Sequence, residues 1–196
     1  MVMTKQRIVG RTIDLRDVTA SDASFVFSLR RDPLRRTYLS ETPDDLHAQL
    51  IWIERYRAER RQFYFIIEDK RGAPLGTIRV YDLQPDSFCW GSWILRPGAP
   101  PKAALESALL VYEFGFRELG LKRSHFDVRK ENRRVVEFHK RFGAKIVREN
   151  DLDYFFTFSV HDYMSIRPKY VGFLPESAAA ITEFAGTATL TASSHS

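Results

Sequence analysis

The sequence predicts a mixed α/β domain with helices on both faces of a central sheet, and three observations carry that prediction. Strand-like and helix-like runs interleave along most of the chain. Two early strand-like runs flank a tight turn and read as a hairpin. Residues 87–144, SFCWGSWILRPGAPPKAALESALLVYEFGFRELGLKRSHFDVRKENRRVVEFHKRFGA, hold a strand, a breaker-rich loop, an amphipathic helix, a second strand and a short helix.

Element by element, Ile13 and Leu15 alternate with polar neighbours, so 11–16 reads as a strand. Ser21 reads as the cap of a helix whose apolar face is Phe25, Val26 and Leu29, and Pro33 ends it. Thr42-Pro43-Asp44-Asp45 has the marks of a helix start: a capping Thr, Pro at the first helical position and acids in the first turn. Leu46, Leu50, Trp52, Ile53 and Tyr56 carry that helix to about residue 60. Strands at 63–68 and 76–81 flank the turn Asp69-Lys70-Arg71-Gly72-Ala73-Pro74, and 88–95 is the next strand. Leu105, Leu109, Tyr112, Phe116 and Leu119 step by four and three, which predicts a helix over 102–119 closed by Gly120. A strand at 124–128, a helix at 132–142 and strands at 144–148 and 153–160 complete the pattern. From Pro175 onward the chain turns Ala/Thr/Ser-rich, although Ala178 to Phe184 can form a short helix. The domain is accordingly set at 1–174, and 175–196 is expected to be a disordered or loosely docked tail.

A chain of 196 residues suits one domain with a real core, and its 15 Phe promise an aromatic one. No apolar run has the length of a membrane span, and MVMTKQRIVG has no apolar h-region, so a cytoplasmic protein with no membrane partner is expected. The single Cys89 excludes an internal disulfide and a Cys-based zinc site, and no metal is expected. The net charge of +5 is spread over patches at Arg30-Arg31, Arg35-Arg36, 55–61 and 122–148. No nucleic-acid-binding motif accompanies them. A phosphate-bearing small substrate accounts for the excess as well as a solvated basic surface does.

The junction between strand 88–95 and the following helix is the first candidate site. A helix start offers free N–H groups and the positive end of a dipole, a natural seat for phosphate. Pro100 and Pro101 each remove a donor there; the amides of 102–105 and the Lys102 ammonium remain. The strand and helix that follow turn the junction into a cleft. Asn132 opens that second helix as a favoured cap. His139, seven residues on, shares its face, and an imidazole can serve as acid or base. It can equally pack in a cationic stretch with Lys140 and Arg141, whose charges would keep it neutral. Phe138 and Phe142 read as core, and so does Cys89.

The ending Asn132-Arg-Arg-Val-Val-Glu-Phe-His139-Lys-Arg-Phe-Gly143-Ala144 resembles that of the GNAT acetyltransferase core: an Asn, two small or apolar residues, an aromatic, then Gly-Phe. The opening Ile13-Asp-Leu-Arg-Asp-Val-Thr-Ala-Ser-Asp-Ala resembles the family's first strand and helix. The resemblance covers roughly residues 10 to 165. It is nearest to the branch holding ribosomal-protein N-terminal and nucleotide-sugar N-acetyltransferases. It implies a mostly antiparallel sheet, with the pantetheine arm of acetyl-CoA between two splayed strands and its pyrophosphate on the helix start. The chain departs from the family's phosphate-loop pattern. Ala99, Lys102 and Ala104 fall where the family has Gln or Arg, Gly, and Gly or Ala, and only Ala104 matches.

The resemblance implies acetyl-CoA as donor, bound by Ile94, Leu95, Lys102, Ala103, Ala104 and Asn132. It puts His139 at the family's Tyr position, as the acid that protonates the departing thiolate. An amide of Trp93, Ile94 or Leu95 would stabilise the oxyanion, the choice depending on where a strand bulge falls. Direct transfer to an amine also needs a proton acceptor. Glu41, Glu54, Asp82, Asp86, Asp127 and His125 are the possibilities, each of them otherwise an ordinary polar side chain. Trp52, Tyr81 and Trp90 either line an acceptor pocket or fill the core. The expected acceptor is a small primary amine, first a nucleotide-linked amino sugar and second a protein N-terminus. A catalytically silent acyl-CoA-binding domain is the rival reading, nucleic acid is not an expected partner, and a homodimer is left open.

Overall fold

In the computed structural model, residues 7–31, 45–58 and 62–176 are described. The strands are β1 (Arg7–Val9), β2 (Ile13–Asp17), β3 (Phe63–Asp69), β4 (Pro74–Tyr81), β5 (Ser87–Leu95), β6 (Arg123–Arg129), β7 (Lys145–Glu149) and β8 (Asp153–Ser159). They form one sheet in the order β1-β2-β3-β4-β5-β6-β8-β7. Every neighbouring pair is antiparallel except β5 with β6, which is parallel. The helices are α1 (Ala23–Arg30), α2 (Leu46–Ala58), α3 (Pro101–Glu113), α4 (Arg133–Phe142) and α5 (Val160–Ile166).

Period-two burial explains how the sheet carries two layers. Leu15, Phe65, Ile67, Ile78, Val80 and Phe88 face one side, where α3, the turn after it and α4 supply Leu109, Tyr112, Phe114, Val136 and Phe142. Tyr64 and Ile66 face the other, against Ala23, Val26, Ile53 and Tyr56 of α1 and α2. Leu174 is buried in the first cluster, so the packed domain reaches at least that residue.

Several elements differ from the sequence reading. β1 precedes the first expected strand and pairs with it. Ser21 does not cap α1. Residues Ala20–Asp22 form a 3₁₀ turn, and the Asp22 carboxylate accepts from both the Thr19 amide, at 2.8 Å, and the Thr19 hydroxyl, at 2.9 Å. Thr42-Pro43-Asp44 and Pro33 lie outside the described residues; at the start of α2 the Asp45 carboxylate accepts the His47 amide at 2.9 Å. The expected helix over 102–119 is α-helical only to Glu113. Phe114–Glu118 is a π turn, with the Leu119 amide reaching back to the Phe114 carbonyl at 3.0 Å. The Phe88 ring stands where a side chain on Gly115 would be, so only glycine lets α3 lie this close to β5. The expected tail lies beyond the described residues, apart from Pro175 and Glu176.

Candidate active site

The site begins where β5 and β6 part. Their pairing is confined to Ser87 with Arg123 and Phe88 with Ser124. Beyond Phe88 and Ser124 the strands splay. β5 is also bulged on its other edge: Thr77 pairs with Ile94 but Arg79 with Gly91, so β5 carries one extra residue between them. Ser92 sits at that bulge with φ of 47°. Its carbonyl accepts the Thr77 hydroxyl at 2.9 Å, which holds the irregularity in place.

Past the bulge the strand is regular again. The Arg96 amide donates to the Leu75 carbonyl at 2.8 Å, and Ile94 pairs with Thr77. Amides alternate along a strand, so those of residues 94 and 96 face β4 and that of Leu95 faces the gap. Of the two cofactor residues expected on this strand, Leu95 therefore presents an amide to the cleft. Ile94 does not, and its side chain is buried in the sheet. The Trp93 indole donates to the Ser107 hydroxyl at 3.1 Å, and that hydroxyl donates to the Ala104 carbonyl at 3.0 Å. These bonds tie the far end of β5 to the first turns of α3.

The start of α3 is poorer in donors than expected. Pro100 is the cap and Pro101 the first helical residue. The Ala103 amide is spent on the Pro100 carbonyl at 2.9 Å, and Ala103 is buried in the core. Ala103 thus belongs to the scaffold and not to a phosphate cradle. Lys102 is exposed at the helix start, with Ala104 half-buried beside it.

On the other side of the gap, Asn132 caps α4, its side-chain oxygen accepting the Val135 amide at 3.4 Å. Val136, His139 and Phe142 form the buried stripe of α4. His139 is 3 % exposed, and its ring lies among Trp90 (5.3 Å between centroids), Phe126 (4.2 Å) and Phe156 (5.8 Å). Burial pushes the imidazole down to about 3. Burial disfavours the imidazolium form on which the expected acid role of His139 would draw. The ring is neutral at physiological pH, and desolvation, not the neighbouring Lys140 and Arg141, is the cause. Its Nδ1 has no hydrogen-bond partner among the described residues, and nor does the Ser124 hydroxyl, while the Trp90 indole and the Tyr112 phenol lie edge-on to each other.

The opposite face of the sheet, beneath α2, has a different chemistry. Arg79 of β4 lies with its guanidinium 5.1 Å from the centroid of the Trp52 ring and 4.7 Å from that of Tyr81. His125 is held at both nitrogens, by Ser87 Oγ at 3.1 Å and by Asp82 Oδ2 at 2.9 Å. Asp86 is paired with Arg123 at 2.9 Å, Glu54 is exposed on α2, and Glu41 lies outside the described residues. Asp127 is exposed two positions along β6 from His125. Trp90 is not on this face. It packs beneath the gap with Tyr112 and Phe126, so the expected trio of acceptor-lining aromatics reduces to Trp52 and Tyr81. Cys89 is buried, and burial pushes its thiol up to about 12, which leaves no thiolate to carry an acyl group.

Sequence reasoning missed the two carboxylates that fix α3. Glu106 accepts the amides of Arg11 at 2.6 Å, Thr12 at 2.8 Å and Ile13 at 3.3 Å. Glu113 accepts from Arg167 at 2.5 Å, Arg117 at 2.8 Å and the Tyr163 hydroxyl. The signal was present: a Glu at each of two positions seven apart on an otherwise apolar helix face.

A parallel pair that splays, a bulge on its first strand and a helix start at its mouth is an arrangement with known relatives. The family described as "Acetyltransferase (GNAT) domain" matches residues 12–145. The chain belongs to the GNAT acetyltransferases. It is an N-acetyltransferase by that membership. Among solved structures it is similar to apo FdhC, described as a nucleotide-linked sugar GNAT, at 39% identity and TM-score 0.79 over 86% of this chain and 98% of that one. A GCN5-related N-acetyltransferase from Brucella melitensis shares the fold at 20% identity and TM-score 0.73, covering 91% of this chain and 90% of that one. So does the spermidine N-acetyltransferase SpeG of Vibrio cholerae, as its N152L mutant, at 14% identity and TM-score 0.67 over 80% and 98%. No curated protein matches the chain. No described helix is long and apolar enough to cross a membrane.

Proposed function

We propose that this GNAT moves the acetyl group of acetyl-CoA to a primary amine on a nucleotide-linked amino sugar. The observation that carries the acceptor is the 39% identity, over nearly all of its length, to a nucleotide-linked sugar GNAT. The splayed β5–β6 gap supports the donor. It offers the pantetheine arm an unpaired strand edge at Leu95, and the exposed Lys102 ammonium at the start of α3 supplies charge for the pyrophosphate. Asn132 borders the same gap from β6's side as the cap of α4.

The amine attacks the thioester carbonyl directly, and the Leu95 amide is the backbone donor nearest at hand for the developing oxyanion. Transfer through Cys89 is disfavoured because its thiol stays protonated. His139, kept neutral by burial, can offer the departing sulfur a hydrogen bond from its one N–H but carries no imidazolium proton to hand over near pH 7. The test is thiol release from acetyl-CoA across a panel of amines: nucleoside-diphosphate amino sugars, polyamines and peptides with free N-termini. Selective turnover of the amino sugars is expected. Turnover of the peptides or polyamines alone would overturn the acceptor, and no turnover of any amine would overturn the enzyme reading.

A further inference from the structure

We propose that Asp127 is the proton acceptor of the reaction, taking the proton that the attacking ammonium must shed. The assignment rests on the acetyl-transfer reading above and adds to it the group that no observation had yet singled out among six.

The first part of the argument is position. Continuing the parallel register of Ser87 with Arg123 puts Asp127 level with Gly91, across the widening gap. Gly91 is the residue just before the bulge at Ser92, so Asp127 faces the point where β5 turns its edge toward the donor. Gly91 has no side chain, and the Tyr81 phenol takes the space beside it, its hydroxyl 3.1 Å from where a Cβ would stand. A phenol, a glycine backbone and a carboxylate thus surround one spot on the face of the sheet beneath α2.

The second part is availability. The other proton acceptors beside it on the sheet are engaged: His125 at both ring nitrogens, Asp82 with His125, and Asp86 with Arg123. Among the described residues the Asp127 side chain makes neither a hydrogen bond nor an ion pair. Its charge reaches Tyr81 of β4 and Cys89 of β5, which pair with each other across the two strands. The charged and titratable groups facing it are Arg79 and Tyr81 of β4, Asp82 after it, Cys89 of β5, and His125 and Arg129 on its own strand. On the remaining side its β8 partner Phe155 carries the Arg148 guanidinium 3.6 Å from the ring centroid. Arg129 is turned to Asp153 at 3.4 Å. A cationic amine entering beneath α2 therefore meets Asp127 as the uncommitted carboxylate on the sheet, with Glu54 lying out on the exposed side of the helix.

The step balances as follows. The ammonium gives one proton to the Asp127 carboxylate, and the freed nitrogen lone pair forms a bond to the thioester carbonyl carbon. The carbon–sulfur bond breaks, the sulfur leaves with that electron pair, and the second nitrogen proton passes through solvent to the thiolate. Asp127 returns its proton to water from an exposed position, so the net products are the amide, the thiol and one proton.

The test compares wild type with Asp127→Asn, using acetyl-CoA and whichever nucleoside-diphosphate amino sugar the wild type turns over, across pH. Near neutrality the variant should lose about 10² to 10⁴ in kcat, with KM for acetyl-CoA unchanged. The deficit should shrink as pH passes the amine's own pKa, because a neutral amine needs no base. Asp127→Glu should recover part of the rate. A purely structural role would lower the rate equally at every pH and depress the melting temperature; that pattern, or an unchanged kcat in Asp127→Asn, overturns the assignment. If the wild type turns over no amine, the acetyl-transfer reading fails separately. The slow hydrolysis of acetyl-CoA by water then carries the test, since water must also lose a proton. Slower hydrolysis in Asp127→Asn supports the assignment, equal hydrolysis overturns it, and absence of any hydrolysis in the wild type overturns both readings.

Discussion

Two buried polar regions of this molecule are opposites. Glu106 and Glu113 lie seven residues apart on α3, 1 % and 0 % exposed, and each is surrounded by donors that fill its lone pairs. Under the gap between β5 and β6, Ser124 and His139 bury polar atoms that have no partner among the described residues, and the buried polar atoms of Trp90 and Tyr112 have only each other at hand. Saturated buried carboxylates join elements. Glu106 fastens the β1–β2 turn to α3, and Glu113 fastens the segment after α5. Unsatisfied buried groups are rare in folded proteins; apart from Arg79 Nε on β4, those among the described residues sit on β5, α3, β6 and α4, the four elements that frame the cleft. The difference separates scaffold from site more clearly than charge or exposure does.

Breaking the saturated region should have the largest effect. At Glu113 burial opposes ionisation, but hydrogen bonds from Arg167, Tyr163 and Arg117 outweigh it and hold the carboxyl below its usual range. Glu113→Ala takes the shared carboxylate away from the partly exposed Arg117 and Arg167 and leaves the buried Tyr163 hydroxyl without its acceptor, and should lower unfolding free energy by about 2–3 kcal/mol. Urea denaturation measures it. A loss within error of zero would show that the network is not what fastens the C-terminal segment.

The unsatisfied region should respond to pH instead. His139 has its folded-state value lowered to about 3 by burial, below its unfolded value. The unfolded chain then binds the proton more readily. The stability that a neutral His139 allows is complete above about pH 6.5 and drains away as pH falls toward 3. The slope is about 1.4 kcal/mol per pH unit at most. His139→Phe should be less acid-sensitive over that window in melting curves, and should keep kcat within about tenfold at neutral pH. A wild type and variant that lose stability in parallel would refute a neutral buried imidazole.

Smaller again is the expected effect at the mouth of the cleft. Lys102→Glu places like charge beside the proposed pyrophosphate seat and should weaken acetyl-CoA binding by about 1–3 kcal/mol, roughly tenfold to a hundredfold by calorimetry. Unchanged affinity in a folded variant would move the phosphates elsewhere. Smallest of all, ending the chain after Glu176 should leave melting temperature and activity as they are, because Leu174 already completes the core. A loss of either would mean that the final twenty or so residues dock.

The contrast also explains what the sequence could and could not reveal. The hairpin of β3 and β4, the amphipathic α3 and the Asn132 cap were all legible, because periodicity and capping are local. The π turn after Glu113 was not. It answers to the Phe88 ring on Gly115, a contact between segments far apart in sequence. Nor was the bulge at Ser92, which is a property of how β4 and β5 register. That register decides which of Ile94 and Leu95 turns its amide to the gap. His139 was legible as a position, but its burial was not. Its flanking cations are visible in the sequence, while the aromatic ring of Trp90, Phe126 and Phe156 that desolvates it comes from three different strands.

The central claim is that acetyl-CoA lies along the free edge of β5. Amide hydrogen exchange at Ile94 and Leu95, read by NMR with and without acetyl-CoA, tests it most directly. Leu95 should exchange the faster of the two in the free protein and slow markedly when acetyl-CoA is added, while Ile94, already turned to β4, barely changes. Binding that leaves the Leu95 amide unprotected, or that protects amides only on the face beneath α2, would contradict the account.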